Sequence, residues 1–401
     1  MKWTEKSLDE LGYVSRGISR HRPRNAPHLY GGPYPFIQTS VVKHANLYIR
    51  EYEQTYSEEG LAQSKLWPAG TLCITIAANI ADTAILAFDA CFPDSVIGFI
   101  PDPDKADVRF IKYLFDALLQ KRFQSFSQGA AQDNLSMEKL LSIKFPVPNI
   151  TTQKRIADIL STYDDLIENN LRRIELLEQS ARLLYKEWFV HLRFPGHERV
   201  KIVDGVPEGW IKGKVADFFN TTSGGTPSRK NPEFFSGTIN WVKTQELNDD
   251  YIFDTEEKIS EEAIQKSSAK IYPENTLLVS IYAGTNIGRT GILAYPSASN
   301  QACVALLPTH KDANPFYAQL YFREIRNTLI NIAQGSAQTN ISQQTIRNLP
   351  MIMPSTDIMN AFISIVSPLY AQMKTLQLQV IKLKQARDLL LPRLMKGEIT
   401  V

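Results

Sequence analysis

Gln128-Gly129-Ala130-Ala131-Gln132-Asp133-Asn134-Leu135-Ser136 returns 206 residues later as Gln334-Gly335-Ser336-Ala337-Gln338-Thr339-Asn340-Ile341-Ser342. Carried on to Pro148 and Pro354 without a gap, seven of the 21 positions are identical. The recurrence continues upstream. Asn79-Ile80-Ala81-Asp82-Thr83-Ala84-Ile85-Leu86 answers Asn286-Ile287-Gly288-Arg289-Thr290-Gly291-Ile292-Leu293, and Pro35-Phe36-Ile37-Gln38-Thr39 answers Asn240-Trp241-Val242-Lys243-Thr244. A fixed long period is the mark of a duplicated structural unit. The 401 residues are therefore one unit of about 200 residues written twice.

Each unit opens with a β-rich part, 1–148 and 198–354. Thr71-Leu72-Cys73-Ile74-Thr75-Ile76 and Thr276-Leu277-Leu278-Val279-Ser280-Ile281 read as strands. Gly31-Gly32-Pro33 and Gly224-Gly225-Thr226-Pro227 read as turns. Helices are expected over 108–123 and 315–333, and Ser136 and Ser342 are placed as helix N-caps.

Each unit closes with a long helix, 149–197 and 355–401. In the first, two rows alternate at spacings of four and three: Ile156, Tyr163, Asn170, Leu177, Leu184 and Leu160, Ile167, Ile174, Ala181, Trp188. In the second, the rows are Phe362, Leu369, Leu376, Leu383, Leu390 and Val366, Met373, Val380, Arg387, Leu394. Sustained seams of this kind predict a coiled coil, and the simplest partners are the two helices themselves. A two-fold relation between the units requires them to run antiparallel. Asn170 and Arg387 interrupt the seam, as register-fixing polar residues or as solvated gaps. Pro195-Gly196 closes the first helix, and Pro392 is expected to kink or end the second.

Composition narrows the function. Apolar residues make up 43% and charged residues 21%, as in globular proteins, and 44 Lys+Arg against 42 Asp+Glu leave a net charge of +2. That excludes a charge-driven binder of nucleic acid at the level of the whole chain, but not a local basic surface. Cys73, Cys91 and Cys303 form no CxxC and fit buried roles in a reducing compartment. The start lacks the apolar stretch of a signal peptide, and the apolar region 72–100 is broken by Asp82, Asp89 and Asp94. A soluble, cytoplasmic protein without membrane association is expected. The chain has no phosphate loop, no GxGxxG turn, no HExxH and no paired Cys/His spacing for a metal. Asn231-Pro232-Glu233-Phe234 is similar to the NPPF loop of adenine methyltransferases, but Glu233 replaces a proline and no cofactor motif precedes it. No nucleophile is placed with a base. A binder fits better than a catalyst.

Charge position shows where a binder would bind. No acid occurs between Leu11 and Arg50, a stretch that holds Arg16, Arg20, Arg22 and Arg24. The matching stretch 218–232 is also acid-free and holds Thr226, Ser228, Arg229 and Lys230. Guanidinium groups grip phosphates or read guanine bidentately. Gln38, Thr39 and Ser40 match Lys243, Thr244 and Gln245, residue types that suit base edges and phosphates, or strand-end caps. Gln132 and Gln338 in the repeated segment, and Asn79, Asn286 and Arg289 after the main strand, complete the candidate contacts.

Two β-rich globules, each followed by a heptad helix, resemble the specificity subunit of type I restriction-modification enzymes. Ser223-Gly224-Gly225-Thr226-Pro227-Ser228-Arg229 followed by Gly237-Thr238-Ile239-Asn240-Trp241-Val242 is similar to the start of a target-recognition domain in that family. The repeated Gly335–Ser342 stretch, with its counterpart Gly129–Ser136, resembles its closing segment. Gln153-Lys154-Arg155-Ile156 leading to Asp164-Asp165-Leu166-Ile167 resembles the opening of its central helix, and Leu389-Leu390-Leu391-Pro392-Arg393-Leu394-Met395-Lys396-Gly397-Glu398-Ile399 its C-terminal ending. The first unit lacks the Gly-Gly-Thr-Pro-Ser loop.

The resemblance implies an α+β fold: two tandem target-recognition domains, separated and followed by long helices that pair as an antiparallel coiled coil with pseudo-two-fold symmetry. It implies a non-catalytic subunit that binds double-stranded DNA, each domain reading one half of a bipartite asymmetric site. The helices would act as a ruler, a helix of about 38 residues spanning about 57 Å. Two methyltransferase subunits and nuclease/translocase subunits would be the partners. S-adenosylmethionine, magnesium and ATP are expected in those partners and no cofactor in this chain. The target adenine would be flipped into a partner's pocket. The specificity chain of a type II-like enzyme that cuts on both sides of its site, and a coiled-coil adaptor with no DNA role, are the other readings.

Overall fold

A computed structural model describes residues 3–76, 82–118, 136–282, 286–334 and 340–401. The chain divides into two compact units, residues 1–169 with 380–401, and residues 170–379.

The first unit is built on a five-stranded sheet in the order Gly12–Arg16, Val96–Pro101, Leu72–Thr75, Thr83–Leu86, Tyr48–Ile49. Only the last pair is parallel. The centre strand Leu72–Thr75 is buried at every position because both faces are covered. Leu72 and Ile74 join Phe110, Phe115, Ile156 and Leu160 in one cluster, and Cys73 on the other face joins Ile37, Trp67 and Phe92 in a second. The helix Val108–Leu118 lies within the expected 108–123; the remaining positions of that expectation, and Asn79, Gln132 and Gln338, fall outside the described residues.

The second unit repeats this sheet strand for strand: Phe219–Ser223, Cys303–Pro308, Leu277–Ser280, Thr290–Leu293, Tyr251–Ile252. Direction repeats too, with the last pair again parallel. So does register. Leu72 opposes Phe99 and Ile85, and Leu277 opposes Leu306 and Ile292. Each unit is also closed by a short ribbon, Thr4–Lys6 on Phe145–Val147 in one and Ile211–Lys214 on Pro350–Met353 in the other.

Ser136 and Ser342 are N-caps. Their hydroxyls accept from the N–H of Lys139 at 3.1 Å and of Thr345 at 3.0 Å. Four local expectations are corrected. Gly31-Gly32-Pro33 is not a free turn but part of the strand Tyr30–Phe36, where a register shift between Tyr30 and Tyr34 absorbs the left-handed Gly31. The expected helix 315–333 is two helices, Pro315–Glu324 and Arg326–Gln334, because Ile325 leaves the helical ψ. The first long helix, Ile150–Tyr185, gives way to a wide turn at Lys186–Val190 before Pro195-Gly196 is reached. The second, Thr356–Met395, runs through Pro392 and ends three residues after it, just before the left-handed Gly397.

The long helices pair antiparallel. In the second unit Asn170 Nδ2 donates to Gln379 Oε1 at 3.3 Å, while Trp188 and Phe362 bring their rings to 5.8 Å. In the first unit Arg387 Nη1 donates to Asp164 Oδ1 at 2.5 Å, and Ile156 and Leu160 share a core with Leu394 and Met395. The row Leu160, Ile167, Ile174, Ala181, Trp188 is buried throughout. Asn170 and Arg387 are thus neither gaps nor solvated: each has its partner on the facing helix.

Candidate nucleic-acid interface

The acid-free loop of the second unit begins where the strand Phe219–Ser223 ends. Gly225 N–H donates to the Ser299 carbonyl at 2.9 Å, and its own carbonyl accepts from Trp241 Nε1 at 3.0 Å. A Cβ on Gly225 would fall 2.3 Å from the Ser268 carbonyl carbon, and one on Gly224 would fall 2.1 Å from the Ser299 oxygen. Only glycine permits this approach, and the approach pins the loop. Beyond it, the Thr226 hydroxyl donates to Gln301. Ser228, Arg229 and Lys230 are exposed, with the Ser228 hydroxyl accepting from the Lys230 N–H at 3.4 Å.

Arg229 meets a carboxylate side by side. Its Nη1 and Nη2 each donate at 2.7 Å to an oxygen of Glu257, and its guanidinium lies 4.0 Å from the Phe235 ring centroid. Lys243 reaches the same acidic pair, 2.8 Å from Glu256 and 3.5 Å from Glu257. Gln245 Nε2 donates to Glu256 at 3.4 Å, and Thr244 opens the short turn Thr244–Glu246 between them. The hydrogen bond from Arg229 holds the Glu257 carboxyl below the usual range, and the hydrogen bond to Glu256 raises Lys243. Three candidates of the sequence reading, Arg229, Lys243 and Gln245, are therefore gathered by two acids that the reading did not single out. Asn286 and Arg289 lie in the turn before Thr290–Leu293, where Arg289 Nη1 donates to Asn248 at 3.4 Å.

In the first unit the basic loop is held by Gln63, whose Oε1 accepts from the N–H of Arg20 at 2.6 Å and of His21 at 3.0 Å. Arg22 Nη1 folds back on the carbonyls of Ser19 and His21, at 2.7 and 2.8 Å. Arg24 Nη2 donates to both oxygens of Asp94, at 2.8 and 2.9 Å. Arg16 ends the strand Gly12–Arg16, and both Arg16 and Arg20 are exposed. Gln38 takes the N-cap position of the helix Thr39–His44, which Thr39 and Ser40 open, and its Nε2 donates to Gln54 at 2.8 Å. Gln63, Glu256 and Glu257 carry no sequence signal of their own, and Asp94 stands out only as a break in the apolar region 72–100. The acid-free stretches pointed to the loops, and the acids that hold them come from elsewhere in the chain.

All three cysteines are buried free thiols, and burial pushes Cys91 up to about 11. Among the described residues no cluster of His, Cys, Asp and Glu is arranged for a metal, and no helix is long and apolar enough to cross a membrane.

One five-stranded mixed sheet built twice, each copy with an antiparallel pair of long-helix segments, defines a class of proteins, and comparison with known proteins gives the family. The type I restriction modification DNA specificity domain matches residues 1–179 and again residues 207–384. The chain belongs to the family of type I restriction-modification specificity subunits and carries two target-recognition domains. It is 24% identical to the type I restriction enzyme MjaIX specificity subunit of Methanocaldococcus jannaschii, across 100% of this chain and 94% of that one. It is 25% identical to the HindI specificity subunit of Haemophilus influenzae, across 99% of both. The fold is also that of the S subunit from M. genitalium, with a TM-score of 0.66 at 16% identity over 98% of this chain and 96% of the other.

Proposed function

We propose that this chain is the DNA-reading, non-catalytic subunit of a type I restriction-modification complex. Domains 1–148 and 198–354 each read one half of a bipartite, asymmetric site in double-stranded DNA. The helical segments 149–197 and 355–401 set the gap between the halves. Two methyltransferase subunits bring S-adenosylmethionine and the pocket for the target adenine, and nuclease/translocase subunits bring ATP and magnesium. Each unit leaves apolar side chains exposed on its stretch of helix, Leu166 and Leu389 in one, Leu176, Leu183 and Ile365 in the other, which suits partner helices.

One observation carries this reading. The same sheet, with the same register, is built twice, while the loops at equivalent positions carry different residues: Arg20, Arg22 and Arg24 in one, Thr226, Ser228 and Arg229 in the other. A frame kept constant under loops that differ is what reading two different half-sites requires. Methylation-sensitive sequencing of host DNA with and without this chain tests it. Modified adenines in a two-part motif are expected only when the chain is present, and an unchanged pattern refutes the reading. Duplex affinity that stays flat as salt rises would favour the coiled-coil adaptor instead.

A further inference from the structure

We propose that Arg229 reads a guanine in the half-site of the second domain, and that Glu257 is the positioning residue that aims it. The inference rests on the reading that this domain contacts DNA.

The side chain is presented and held at once. Arg229 stands on a loop pinned through Gly225 to Ser299 and Trp241, and its side chain is 56% exposed. Its plane is fixed from two directions, by two parallel 2.7 Å bonds to Glu257 and by the ring of Phe235 4.0 Å away. A guanidinium has five N–H groups. Glu257 takes the end-on pair, one N–H from each terminal nitrogen, which leaves Nε–H and the outer N–H of Nη2 side by side as a second fork along the edge of the guanidinium. A fork whose direction is set before DNA arrives loses little freedom on binding.

Charge then decides what the fork meets. Arg229 and Lys243 share their surroundings with Glu246, Glu256 and Glu257, two cations against three carboxylates. Glu256 is 71% exposed. A phosphate approaching Arg229 meets a guanidinium already neutralised by Glu257, with the exposed carboxylate of Glu256 close by. The major-groove edge of guanine offers two neutral acceptors, O6 and N7, and carries no such penalty. Neutralisation by Glu257 thus disfavours a backbone grip and favours a base edge.

The test uses the full chain assembled with its methyltransferase partners and duplexes in which each base pair of both half-sites is replaced in turn. A further set carries 7-deazaguanine, which lacks the N7 acceptor. Native complex is expected to lose affinity about ten- to hundredfold when one guanine of the second half-site is replaced. Arg229→Ala should abolish that loss at this one position and leave every position of the first half-site as sensitive as before. Arg229→Lys should behave as Arg229→Ala does, because it keeps the charge and loses the fork. Glu257→Ala, and more mildly Glu257→Gln, should reduce discrimination at the same position. If Arg229→Ala weakens all duplexes equally and flattens the salt dependence, the contact is to phosphate and the proposal is overturned. Unaltered discrimination in Arg229→Ala overturns it as well, and unaltered discrimination in both Glu257 variants removes Glu257 from it. A native complex with no base preference in either half-site would instead sink the DNA-reading function itself. Retained discrimination in the first half-site shows that each variant is folded.

Discussion

Arg387 Nη1 lies 2.5 Å from Asp164 Oδ1, and the Tyr113 hydroxyl donates to the other oxygen of the same carboxylate at 2.5 Å. The Asp164 side chain is only 5% exposed, so the three groups form a polar knot where the helix pair meets the recognition domain of the first unit. Removing one member of a buried pair strands the other. Arg387→Ala is expected to lower stability by about 2–3 kcal/mol, below the range of about 3–5 for fully buried pairs because Arg387 is partly exposed and Tyr113 still serves Asp164. Asp164→Leu with Arg387→Met and Tyr113→Phe, which leaves no member of the knot stranded, should recover most of that loss. Thermal melting of the two variants checks both.

The same seam predicts how the gap between half-sites responds to length. The Asn170 to Gln379 bond fixes the register in the second unit. Four residues inserted between Ile167 and Leu177, matched by four opposite them in the second helix, lengthen the pair by about 6 Å. That equals one to two base-pair steps of about 3.4 Å. Methylome sequencing should show the two half-sites unchanged and the spacer between them longer. An identical spacer would end the ruler idea.

The basic loop of the first domain gives a third prediction. Arg20 and Arg22 together become alanine. Because the backbone there is also held by Gln63, the fold should survive. Affinity for cognate DNA is expected to fall several-fold with an unchanged melting temperature. Equal affinity would remove this loop from the interface.

Asp250 gives a pH prediction. Burial, with Glu178 and Asp249 near it, raises its carboxyl to about 6, while Gln377 Nε2 donates to it at 2.6 Å. The folded protein therefore holds this proton more tightly than the unfolded chain, whose Asp titrates near 3.9. The resulting stability is complete below about pH 4 and is lost as pH rises through 6. Asp250→Asn should thus gain in melting temperature over the native protein as pH rises from about 4 to about 6, and the gain should then level off toward about pH 8. Protein atoms crowd the carboxyl while the rest of the residue stays open to water, which screens the shift, so the difference should be small. A difference that is flat in pH would contradict it.

Much of the fold was legible because it rests on local periodicity. The strands at 72–75 and 277–280, the N-caps Ser136 and Ser342 and both helical seams follow from patterns within a few residues. The direction of the helices needed the two-fold argument, since heptad spacing is the same either way round. What stayed hidden depends on residues far apart in the chain. Glu257 reaches Arg229 across 28 positions and Asp94 reaches Arg24 across 70, and no local pattern announces either. The break at Ile325 escaped for a related reason, because the helical pattern continues on both sides of it.

The doubled sheet carries a consequence for how such a chain changes over time. Its strands ask only for apolar bulk in two directions, so Leu72-Cys73-Ile74-Thr75 and Leu277-Leu278-Val279-Ser280 serve equally well. The loops that differ between the copies lie outside that demand. Under the proposed function, selection for folding and selection for a new target sequence would act on separate sets of residues, and one copy could drift toward a new word while the other keeps the old.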